Sequence, residues 1–185
     1  MLQLARNSSK LVPAVAANND GAYGVWTGYR VPEDRSNWHP LVRAFYDYWV
    51  SVSPPGRLPG RQHVAPEDVP QFWSRMWMLD VHRNPLRYRY RLCGTEMVRS
   101  LGREVTGTWL DEAHPQLIEN PQSRERFRYM AETGQPTWRR GPPLWTRDPE
   151  HRVIETCLVP LAGDGVTVDK ILGLSVMSDT QGKSI

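Results

Sequence analysis

A chain of 185 residues with 39% hydrophobic residues and a formal net charge of +3 is long enough for one domain with extensions and one sizeable core. Sixteen prolines and fourteen glycines exclude a long-helix bundle, and no apolar run approaches the ~18 residues of a membrane span. The positive charge is nearly all arginine and comes with no recognition motif, so it reads as a solvated surface and no nucleic-acid partner is expected.

Residues 1–35 are rich in Ala, Asn, Gly and charges without sustained periodicity, and read as a mobile tail with Trp26 and Tyr29 docked on a neighbouring surface. The weakly basic, then apolar start is broken by Pro13 and does not read as a signal peptide, so a cytoplasmic location is the expectation. The domain is expected over residues 36–180. Trp38, Leu41, Val42, Phe45, Tyr48, Trp49 and Val52 share one face of a helix over 38–52. Asn37 or His39 can cap it, Pro40 suits its first turn, and Pro54-Pro55-Gly56 stops it. A stripe this wide and aromatic has two readings, packing on its own domain or a dimer seam. One small sheet offers a single helix limited cover, and exposed apolar patches mark interfaces. The expectation is a homodimer whose interface includes Trp38, Leu41, Val42, Phe45, Tyr48 and Trp49, with part of the outer sheet face.

A loop over 56–61 and a short helix over 65–73, limited by Pro70, lead to a first strand over 75–81 and a hairpin turn at Asn84-Pro85. From Arg87 the chain alternates with period two: Tyr88, Tyr90 and Leu92 are expected to face the core, and Arg87, Arg89 and Arg91 to face outward. A cross-strand ion pair of one of these arginines with Glu155, or an acidic partner docked on them together with Arg139 and Arg140, would neutralise that face. Met97, Val98 and Leu101 recur at helical spacing until Gly102, and Gly107 offers a second turn before Trp109. Asn120-Pro121 starts a longer helix with Phe127, Met130 and Ala131 inward, ended by Gly134. Three strands follow, over 136–145, 152–161 and 170–178, separated by turns at Arg147-Asp148-Pro149-Glu150 and Gly163-Asp164-Gly165. The fold class is α+β.

The order of motifs carries a resemblance. A Tyr48-Trp49 pair precedes LPGRQHVAPEDVP, followed by MLDV, PLRYRYRLCGTEMV and GREVTGTWLDE. Over Trp38 to Met177 this resembles a bacterial PAS domain family. The resemblance implies a five-stranded antiparallel sheet with helices on one face, here with an added N-terminal amphipathic helix. It also implies a sensory or interaction module without intrinsic catalysis. With no output domain read in the sequence, a signal is expected to pass through association, with a signalling protein or a second copy.

No phosphate loop, HExxH or GxSxG motif is present, and the five histidines fall into no catalytic spacing. Cys93 and Cys157 belong to no metal pattern. Flavin-binding relatives carry a cysteine on the helix after the second strand, where this chain reads GTEMVRSLG; haem-binding relatives use a histidine on the long helix, which has none between Gln116 and Thr133. A colourless protein without cofactor is therefore expected, with His114 the one remaining candidate for an axial ligand. What remains is an aromatic-rich pocket for a small apolar or aromatic ligand. The expected lining is Tyr88, Tyr90, Leu92, Met97, Leu101, Trp109, Phe127, Met130, Trp138 and Leu158, with Trp145 and Leu174 as further candidates. The alternative is a small α+β enzyme acting on a hydrophobic substrate through a buried acid–base pair.

Overall fold

The computed structural model describes residues 29–144 and 152–179. Trp26, Trp145 and the turn over 147–150 lie outside the described residues. Five strands form one antiparallel sheet: β1 Met76–His82, β2 Arg87–Cys93, β3 Thr137–Gly141, β4 Arg152–Leu161 and β5 Lys170–Asp179. Their spatial order is β2-β1-β5-β4-β3, so β2 is an edge strand and β5 lies at the centre. Between β2 and β3 run α2 Thr95–Leu101, α3 Leu110–Ala113, α4 Pro115–Glu119 and α5 Pro121–Thr133, preceded at the N-terminal end of the domain by α1 Pro40–Ser51.

The helix boundaries follow local chemistry. Asn120 caps α5 by accepting from Ser123 N–H, with Pro121 in the first turn. Both α2 and α5 stop at a left-handed glycine, Gly102 at φ 70° and Gly134 at φ 66°, a conformation that costs other residues their Cβ clearance. Residues 65–75 form two 3-10 turns, Pro66–Asp68 and Pro70–Arg75, instead of one helix, because Pro70 donates no hydrogen bond.

The sheet is covered on both faces, giving two apolar layers. Helices α2 to α5 cover the inner face, where Trp77, Leu79, Tyr88, Tyr90, Phe127, Met130, Leu158 and Ile171 pack together. Helix α1 and the 3-10 turns cover the outer face, where Trp38, Val42, Phe45, Phe72, Met76, Met78, Cys157 and Leu174 meet. This corrects the expected dimer seam at three of its six residues. Trp38, Val42 and Phe45 are 4%, 0% and 1% exposed against their own sheet, so they present nothing to a second copy. Trp38 stacks on Trp138 at 5.2 Å and Phe45 sits edge-on to Phe72 at 5.8 Å. Leu41, Tyr48 and Trp49 are half-buried at the margin of the same layer. The N-terminal end of α1 is fixed by Glu155, whose Oε1 accepts from the His39 N–H at 2.8 Å and from Trp138 Nε1 at 3.1 Å. Residues ahead of 36 also join the domain: Arg30 bridges Thr137, and the Trp138 N–H donates to the Tyr29 carbonyl.

The alternation in β2 holds for Tyr88 and Tyr90, which are buried on the inner face, and fails at Leu92. The pairing of β1 with β2 shifts between Met78 and Leu79, which oppose Leu92 and Tyr90 and leave Arg91 without a cross-strand partner. That one-residue irregularity inverts the phase, so Leu92 packs into the outer layer. The arginines of β2 find partners near their own edge. Arg87 holds Asp111 through Nε at 3.0 Å and Nη2 at 2.9 Å, and Arg91 lies 3.5 Å from Asp80. Glu155 is two strands too far for them and lies 4.0 Å from Arg140.

Candidate functional site

A cavity of about 40 Å³ lies on the inner face between the sheet, α2 and α5. Of the residues expected to line it, Tyr90, Met97, Leu101, Phe127 and Leu158 do. Tyr88 and Met130 belong to the same apolar layer without lining the cavity, Tyr88 packed on Phe127 at 5.3 Å. Leu92 and Leu174 are on the outer face with Met76 and Met78, and Trp138 stacks there on Trp38. Trp109 sits at the free edge of β2. The segment around it closes that edge, with the Tyr90 N–H donating to Thr108 O and the Gly107 N–H to Tyr90 O. Its ring lies against Arg87 and Arg89 at 4.2 and 5.9 Å, on the arginine side of the strand.

The expected lining omits the polar half of the wall, Ser123, Arg126, Arg139, Thr156 and Ser175, with Trp77 and Cys93; His114, singled out from the sequence only as an axial-ligand candidate, also lines it. Arg126 on α5 is 4% exposed. Its Nε donates to Thr137 Oγ1 at 2.8 Å and its Nη2 to the Thr156 carbonyl at 3.0 Å, tying α5 to β3 and β4. Burial, helped by the Arg139 guanidinium, pushes Arg126 down to about 9, so it stays charged at neutral pH. Arg139, expected on the outer face, points the other way and is 4% exposed. Trp77 Nε1 donates to Ser175 Oγ at 2.9 Å, and Ser175 lies 3.2 Å from Thr156 Oγ1. A signal for Arg126 was present: Ser123, Arg126, Phe127 and Met130 fall on the inward stripe of α5, and all four are buried.

His114 ends α3 and is 4% exposed, edge-on to Tyr90 at 5.9 Å, with its Nε2 lacking any hydrogen-bond partner. Burial pushes its imidazole down to about 4, with Arg103 adding to the effect. The unfolded chain therefore binds a proton below about 6.5 that the folded chain refuses until about 4. Stability is expected to fall as the pH drops through that window, by about 2 kcal/mol from this residue at pH 4.5. Urea unfolding of the wild type and of His114→Gln at pH 7 and pH 4.5 checks this: the variant is expected to lose less stability on acidification by that amount.

The residues present do not suit a cysteinyl–flavin adduct, while His114 is the one histidine among the described lining residues. Cys93 ends β2 instead of lying on α2, and burial pushes its thiol up to about 11, away from the reactive thiolate. The cavity is also far below the roughly 300 Å³ at which cofactor pockets begin. Among the described residues, no cluster of three metal-ligating side chains occurs, and no helix is long and apolar enough to cross a membrane.

A family model described as PAS domain matches residues 38–176. No curated protein matches the sequence. Among solved structures, the chain is similar to the Rhodobacter sphaeroides LOV protein at 15% identity and a TM-score of 0.41, covering 75% of this chain and 68% of that one. It is also similar to an RNA-binding light-oxygen-voltage receptor at 17% identity and a TM-score of 0.43, covering 67% of this chain and 36% of that one. The chain thus spans about a third of the second protein's length.

Proposed function

This chain belongs to the PAS domain family, and from that premise we propose that it works as a sensor that takes a small ligand with an apolar or aromatic body into the inner-face cavity, without chemistry of its own. The observation that supports this most is the composition of the cavity wall. Tyr90, Met97, Phe127 and Leu158 offer an apolar surface, while His114 Nε2 is a buried polar atom left unpartnered. Buried polar groups are nearly always satisfied, so an orphan on a residue that lines a cavity is a natural ligand contact. The enzyme alternative asks for a histidine and a carboxylate converging in the cavity. Among the described lining residues there is a histidine but no Asp or Glu, which favours binding.

The output side of the module is α1. Two adjacent residues of β4 face opposite layers: the Thr156 carbonyl holds Arg126 of the cavity wall, and Glu155 holds the start of α1. A ligand that shifts Arg126 thereby acts one residue away from the contact that fixes α1. The partner, a signalling protein or a second copy, would meet the margin of this helix, where Leu41, Tyr48 and Trp49 are half-buried and Val50 is exposed.

Native mass spectrometry of freshly purified protein tests the proposal. The expected result is a mass excess of a small molecule that disappears on denaturation, or that appears after incubation with a metabolite extract. A native mass equal to that of the chain in both cases would contradict it.

A further inference from the structure

The inner cavity contains a charge that its own chain does not balance. Arg126 is 4% exposed, and its protein contacts, the Thr137 hydroxyl, the Thr137 carbonyl and the Thr156 carbonyl, are all neutral acceptors. Among the described residues no carboxylate pairs with it, and its Nη1 makes no hydrogen bond. A buried guanidinium without counter-charge is costly to keep, because desolvation is not offset by an ion pair. The same wall carries His114, 4% exposed, with Nε2 unpartnered. The rest of the wall combines an apolar side, Met97, Leu101, Leu117 and Phe127, with the polar Ser123, Arg139, Thr156 and Ser175.

We propose that the ligand of this cavity is a small monocarboxylic acid bound as its anion. Its carboxylate sits on the Arg126 guanidinium with His114 Nε2 as a second polar contact, and its apolar body lies against Met97, Leu101 and Phe127. This rests on the reading of the cavity as the ligand site. The charge of Arg126 selects the anion, since a guanidinium matches a carboxylate in both charge and planar geometry. Size sets the second condition. About 40 Å³ is room for roughly one water, so the body of the ligand enters only as the wall opens. Met97 has a long unbranched side chain that can swing aside, and Leu101 and Leu117 are half-buried at the margin between α2 and α4. The bound form is therefore more open than this one, and the observed affinity is reduced because the wall is open for only a fraction of the time.

Titration calorimetry of the wild-type chain with benzoate and with benzamide separates charge from shape, because the two probes differ little in size. Benzoate is expected to bind about tenfold to a hundredfold more tightly, the ratio that a charge-assisted hydrogen bond supplies. Arg126→Gln is expected to bring benzoate down to the level of benzamide. Arg126→Lys retains the charge and part of the preference, and serves where the glutamine variant does not fold. Equal affinity of the wild type for both probes would overturn the anion and leave the cavity standing as an apolar site. A benzoate preference untouched in either variant would overturn the assignment to Arg126. Binding of neither probe at millimolar concentration would also overturn the inference, and the mass spectrum then decides separately whether the cavity takes a ligand at all.

Discussion

Phe45→Asp is expected to unfold the outer half of the domain at 25 °C. Phe45 is 1% exposed between α1 and the sheet, edge-on to Phe72 and in one layer with Met76, Met78 and Leu174. Removing a buried phenylalanine costs about 3–5 kcal/mol in cavity and transfer terms. The aspartate adds the desolvation of a charge with no partner. The sum rivals the 5–15 kcal/mol that typically separates a folded domain from its unfolded chain. Far-UV circular dichroism with a urea titration reads the outcome. Val50→Asp is the control, since Val50 lies on the same helix at 49% exposure and is expected to shift stability by less than about 0.5 kcal/mol. A Phe45→Asp chain that keeps the wild-type midpoint would show that α1 does not depend on its own sheet.

Gly173→Ala is expected to destabilise the fold and to close the cavity together. Gly173 on β5 pairs directly with Trp77 on β1, and the Trp77 ring lies over it: a Cβ built on Gly173 would come within 2.5 Å of the ring. The neighbouring backbone is locked in a sheet, so the ring is what moves. Trp77 lines the cavity and is held by its bond to Ser175, so a tilt away from the sheet carries the ring into the empty space and breaks that bond. Overpacking and a lost buried hydrogen bond together amount to about 2–4 kcal/mol. Thermal unfolding is expected to show that loss, and calorimetry a benzoate affinity more than tenfold weaker. Unchanged stability would mean that Trp77 has a second resting place at no cost.

Much of the fold is legible because the chain marks its boundaries with strong local chemistry. Asn120-Pro121, Gly102 and Gly134 end or begin helices where the backbone demands it, and Tyr88 and Tyr90 alternate with arginines as an edge strand should. The alternation misled at Leu92 because an irregular pairing is a property of two strands together, and it is not written in either alone. The dimer seam misled for a different reason, and here a signal was available. Met76 to Leu79 is four consecutive buried apolar residues, and β4 is buried from Ile154 to Leu161. Such runs mean a sheet covered on both faces, so the stripe on α1 belonged to its own chain. The polar half of the cavity was hardest to see. Arginine on a helix is normally solvated, and only its spacing with Phe127 and Met130 distinguishes Arg126 from Arg124 and Arg128. The two ends of the wall, Trp77 and Ser175, meet through pairing of strands ninety-eight residues apart, which no local pattern announces.

Four methionines give the two faces of the sheet their own reporters: Met97 and Met130 in the inner layer, Met76 and Met78 in the outer. Methyl NMR of methionine-labelled protein, titrated with benzoate, tests directly whether the inner cavity is the ligand site. The expected result is that the Met97 methyl signal moves first and farthest and Met130 follows, while Met76 and Met78 stay within the linewidth. Movement of Met76 or Met78 with Met97 unmoved would place the ligand on the other face and contradict the inner-cavity assignment.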